Sequence, residues 1–79
     1  MGKRASESAS EVLKRWRTAK GLSQESAAAL IEVDQATLSR WEAGLRKPRL
    51  PEAIRLEDAS EGGVPVRLWR EVVGHRKAS

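Results

Sequence analysis

The chain has 79 residues, 39% of them hydrophobic and none of them cysteine, which limits it to one small domain without disulfides, thiolate metal sites or a deep catalytic cavity. Its one histidine, His75, makes a zinc site implausible, and its longest apolar runs, such as Ala27 to Ile31, are far too short to span a bilayer. Fifteen Lys and Arg against eleven acids give a formal charge of +4, crowded into Lys3-Arg4, Lys14 to Lys20, Arg46 to Arg49 and Arg76-Lys77, a distribution that favours a polyanionic partner.

Met1 to Glu7 has no apolar periodicity and leads into no apolar segment, so residues 1–8 are expected to be a basic arm and not a signal peptide. Ser8 with Glu11 three residues on is a capping-box pattern, which predicts a first helix from about Ala9 to Ala19. Val12, Leu13 and Trp16 form its apolar stripe, and Gly21 is its stop. A second helix is expected from Gln24, capped by Ser23, to about Ile31, with Ala27, Ala28, Leu30 and Ile31 carrying its apolar surface. Alanines allow a neighbouring backbone to come close, and Ala28 is the expected crowded contact. The third helix runs from Gln35 to Ala43 with Asp34 as its cap, and Gly44 closes it. Leu38 and Trp41 point inward, while Gln35, Ala36, Ser39 and Arg40 point away.

Leu45 to Leu50 is a basic loop, and Pro51 suits the first position of a fourth helix reaching about Ala59, with Ile54 and Leu56 inward. Gly62-Gly63 ends it. Pro65 starts a last short helix through about Val72, anchored by Val66, Trp69 and Val73. Residues 74–79 read as a basic tail, so the globular part is 9–73. The fold expected is all-α: a compact bundle of five short helices. The second and third helices are too short and too close for a simple antiparallel hairpin with long arms. They suit a helix-turn-helix, whose second helix lies in the major groove of DNA.

The same run carries a family resemblance. Arg17, Gly21-Leu22-Ser23-Gln24, Ala28, Val33, Thr37-Leu38-Ser39-Arg40, Glu42, Gly44 and Pro48 match a recurrent pattern. On these residues the chain resembles the lambda repressor/Cro-like (XRE-type) helix-turn-helix DNA-binding family, over roughly Leu13 to Trp69. The resemblance implies a lambda repressor-like fold and places a base-reading residue at Gln35. Glutamine can bond adenine N6 and N7 together, and Ala36 can touch a thymine methyl. Ser39 and Arg40 complete the face, with Arg40 on either a guanine or a phosphate. The resemblance also implies a phosphate ligand at Gln24, beside Ser23, and an ion pair between Arg17 and Glu42 that locks two helices. Arg46, Lys47 and Arg49 are phosphate clamps by position, or else simply a solvated loop. Trp16, Trp41 and Trp69 fall on apolar stripes and read as core, although Trp69, with Val66 and Val73, is also the guess for a dimer contact.

Two departures stand out. The turn usually has a glycine where this chain has Glu32, and an asparagine is common where it has Ala43. The function expected is sequence-specific binding of double-stranded DNA by a small cytoplasmic transcriptional regulator of bacterial or phage type, as a homodimer. No cofactor, metal, membrane or small-molecule ligand is implied. With no nucleophile-base pair and no phosphate loop, an enzyme is not expected. The alternative is a protein-interaction module of the same fold, an antitoxin or adaptor with weak DNA binding.

Overall fold

The computed structural model describes residues 8–69. The basic arm before Ser8, the tail 74–79, and Val72 and Val73 lie outside the described residues. The described chain is all-helical: α1 (Ala9–Ala19), α2 (Gln24–Leu30), α3 (Gln35–Glu42) and α4 (Leu50–Ala59). Helical backbone at 66–69 begins a fifth short helix, α5, directly after Pro65.

The helix starts follow their capping residues. Ser8 Oγ accepts the Glu11 N–H at 3.2 Å and a Glu11 carboxylate oxygen accepts the Ser8 N–H, the reciprocal arrangement expected for α1. Ser23 caps α2 through the Ser26 N–H at 3.0 Å, and Asp34 caps α3 through the Thr37 N–H at 3.1 Å. At α4 the expectation shifts by one residue. Glu52 accepts the Arg49 N–H at 2.9 Å, which makes Arg49 the cap and Leu50 the first helical residue, so Pro51 sits second. Both leading positions tolerate a missing N–H, because no carbonyl one turn earlier needs it.

The helices α1, α2, α3 and α4 end in the same way. The N–H groups of the two residues after the last cap turn back to carbonyls of the final turn: Gly21 and Leu22 to Thr18 and Arg17, Glu32 and Val33 to Ala29 and Ala28, Gly44 and Leu45 to Trp41 and Arg40, Glu61 and Gly62 to Asp58 and Glu57. This Schellman geometry needs a left-handed residue in the first of the two places. Gly21 (φ 72°) and Gly44 (φ 78°) fill it without strain, but Glu32 (φ 60°) and Glu61 (φ 53°) carry a Cβ against the following carbonyl. Glu32→Gly and Glu61→Gly are each expected to stabilise the domain by about 1 kcal/mol. Thermal melting checks this, since 1 kcal/mol is worth about 4–8 °C in a domain of this size. A lower melting temperature would reject the strain.

The core runs through the bundle from Leu13 of α1 to Ala27, Ala28 and Ile31 of α2 and its cap, Leu38 and Trp41 of α3, Ala53 and Leu56 of α4, and then Val64 and Trp69. Each large aliphatic side chain removed from water contributes about 1.5–3 kcal/mol. Val12 and Trp16 sit at the edge of this cluster, half-buried. One inward assignment fails, and one apolar residue of α2 stays in solvent. Ile54 is 52% exposed, because Ala53 and Leu56 define the buried arc of α4 and Ile54 lies one step around the helix from Ala53. Leu30 is 54% exposed for the same reason, with Ala27, Ala28 and Ile31 occupying the inner arc of α2. The small alanines let α2 pack closely on α3, and α1 packs against α3 as well. The Arg55 Nε donates to the Ile31 carbonyl at 2.9 Å, tying α4 to the end of α2.

Candidate nucleic-acid interface

The pair α2–α3 is joined by the four residues Ile31 to Asp34, and its geometry is held from behind by charge. Arg17, in the last turn of α1, meets Glu42 at the end of α3: Nε donates to Oε2 at 2.6 Å and Nη2 to Oε1 at 3.1 Å. The remaining arm of the guanidinium donates to the Leu22 carbonyl at 2.9 Å. The two side chains are 13% and 5% exposed, so the fork sits largely out of water, where its geometry counts for most. A second link joins the same helices: Ser10 Oγ donates to the Trp41 carbonyl at 2.7 Å.

From this pair a row of amides leads outward. Gln24 Nε2 donates to Glu42 Oε1 at 3.0 Å, and Gln35 Nε2 reaches Gln24 Oε1 at 3.4 Å. The side chains at the starts of α2 and α3 are therefore oriented by the ion pair behind them. The sequence singled out both glutamines but not the link between them, since nothing local connects residues eleven apart.

The outward face of α3 has a simple cause. Leu38 and Trp41 are buried at 0% and 1% exposure, which turns the other side of the helix to solvent. Gln35, Ala36 and Arg40 are exposed on it, and Ser39 is half-buried. Beyond α3 the loop carries Arg46, Lys47 and Arg49, all exposed, around a buried Pro48 that anchors it. Ser23, also exposed, has its hydroxyl engaged with Ser26, at 3.0 Å from both the backbone nitrogen and the side-chain oxygen of that residue. Trp69 is 5% exposed and packs into the monomer's own core, while Val66 is half-buried. Among the described residues, no group of three or more His, Cys, Asp or Glu is placed to hold a metal ion.

The carboxyl of Asp34, at the start of α3, is moved by its surroundings. The Thr37 side chain, then the Thr37 backbone N–H, hydrogen-bond its carboxylate and hold it below the ordinary aspartate value of 3.8. A folded-state value below the unfolded one means stability that is complete above the unfolded value and lost as pH falls through the folded one. Between about pH 5 and pH 2, wild type is expected to lose melting temperature faster than Asp34→Asn, which keeps a capping oxygen and does not titrate. Parallel acid limbs in the two melting profiles would contradict this.

Comparison with known proteins agrees with the geometry. A family model described as helix-turn-helix matches residues 13–59, more than half of the chain and all of α2, α3 and α4. No curated protein and no solved structure matches it. No helix among the described residues is long and apolar enough to cross a membrane.

Proposed function

The chain belongs to the helix-turn-helix DNA-binding family, and from that premise we propose that it is a sequence-specific transcription regulator that lays α3 in the major groove of double-stranded DNA. The observation that carries this reading is the division of α3 into a wholly buried apolar back, Leu38 and Trp41, and an exposed front on which the polar Gln35 and Arg40 flank Ala36. Such a front, held rigid by the Arg17–Glu42 fork, suits base-edge recognition. Gln35 is the principal reader, with its amide set by Gln24. Ala36 meets a thymine methyl, and Arg40 and Ser39 complete the contact. Gln24 keeps a second amide hydrogen for phosphate, beside Ser23. Arg46, Lys47 and Arg49 grip the backbone on the other flank, setting register without reading sequence.

Two copies bind one operator, with half-sites one helical turn apart. The contact first assigned to Val66, Trp69 and Val73 must do without Trp69, whose indole is buried inside its own subunit. The family fits a regulator that does no chemistry of its own.

Two variants separate reading from gripping. Gln35→Ala is expected to lose about tenfold in affinity for the preferred duplex and almost nothing for scrambled DNA. Lys47→Ala is expected to weaken both duplexes alike. Equal losses on both duplexes for Gln35→Ala would remove α3 from the role of reader.

A further inference from the structure

We propose that Asp34 is a base-reading residue that selects cytosine at a base pair beside the one Gln35 faces, an inference that rests on the DNA-reading function above. Asp34 is exposed at the tip of α3, immediately before Gln35, and the first residues of a recognition helix are the ones that approach base edges. Its position is fixed, since Oδ1 accepts the Thr37 N–H at 3.1 Å. Capping alone does not call for a charge here: α1 and α2 are capped by the neutral Ser8 and Ser23. The helix turned toward DNA carries an anion instead.

An anion at that place is selective by exclusion. A carboxylate has about four acceptor sites and no donor, so the cap leaves acceptor capacity free. Phosphates repel it. In the major groove guanine offers only N7 and O6 and thymine only O4, all acceptors that repel it as well. Adenine offers its N6 amino group beside an N7 acceptor, a pattern that suits the amide of Gln35 and opposes a carboxylate. Cytosine offers the N4 amino group without a neighbouring acceptor on the same edge. It is the base whose own major-groove edge a carboxylate can bond without facing an acceptor. At guanine or thymine the charge loses water and gains no partner, and at adenine it gains one bond while facing the N7 acceptor, both of which are costly.

The test is a pair of duplex selections from a random pool at about 150 mM salt, one with the full chain and one with Asp34→Asn. Asparagine caps a helix as well as aspartate does, so melting near pH 7 is expected to overlay and to certify the fold. It also carries an amide, whose base preference is adenine. The wild-type motif is expected to hold a fixed cytosine next to the Gln35 base pair, and Asp34→Asn to weaken that preference about tenfold and shift it toward adenine. A variant that returns the wild-type motif with the cytosine intact overturns the inference. So does a wild-type motif with no fixed cytosine, which leaves base reading by α3 standing. A wild-type pool with no motif at all overturns base reading itself, and the role of Asp34 with it.

Discussion

Arg17→Ala is expected to destabilise the domain by about 3 kcal/mol, the range found when one partner of a buried ion pair is removed. The Glu42 side chain is 5% exposed, and without Arg17 its carboxylate keeps the Gln24 amide alone. The Leu22 carbonyl loses its guanidinium donor at the same time. Domains of this size have a total stability of only several kcal/mol, so the variant is close to its folding threshold at room temperature. Glu42→Ala is expected to cost a similar amount, because it strands the guanidinium. Replacing both together, Arg17→Met with Glu42→Leu, should recover most of the loss, since an apolar pair of similar volume needs no compensation for burial. Urea or thermal unfolding of the three variants measures this directly. The folded fraction of Arg17→Ala is expected to keep the wild-type sequence preference. Unchanged melting with lost preference would instead make Arg17 a DNA contact.

Salt sets the second large effect. Arg46, Lys47 and Arg49 are all exposed in the loop after α3, and Gln24 stands at the start of α2. With roughly six phosphate contacts per protomer, the affinity for DNA is expected to fall about a thousandfold between 50 and 200 mM salt. Removing Lys47 should lower the slope of log affinity against log salt by about one. Fluorescence anisotropy over that salt range gives both numbers. A slope near zero would contradict a phosphate-gripping loop and turn the surface toward a protein partner.

The local features of the fold were legible in the sequence because short-range chemistry determines them. Ser8 with Glu11, Ser23, Asp34 and Gly44 mark helix ends through bonds spanning only a few residues. The left-handed place of Glu32 was open to inference, because the turn needs that conformation whichever residue fills it. Glu61 takes the same place after α4, where two glycines directly after it are the more obvious stop in the sequence. Tertiary choices were harder to read. An apolar residue such as Ile54 or Leu30 lies near the edge of its buried arc, and only the neighbouring helix decides which side it takes. The Arg17–Glu42 pair joins residues twenty-five apart, so it came from the family resemblance and not from spacing. The Gln24–Gln35 link and the Ser10 bond to the Trp41 carbonyl had no sequence signal, because both exist only once α1, α2 and α3 have docked.

Selection of bound duplexes from a random pool at about 150 mM salt shows whether α3 reads base edges. A recovered palindrome with half-site centres about 34–36 Å apart is the predicted result, placing two copies on one face of the duplex. A folded, helical protein that enriches no sequence would mean that α3 does not read base edges.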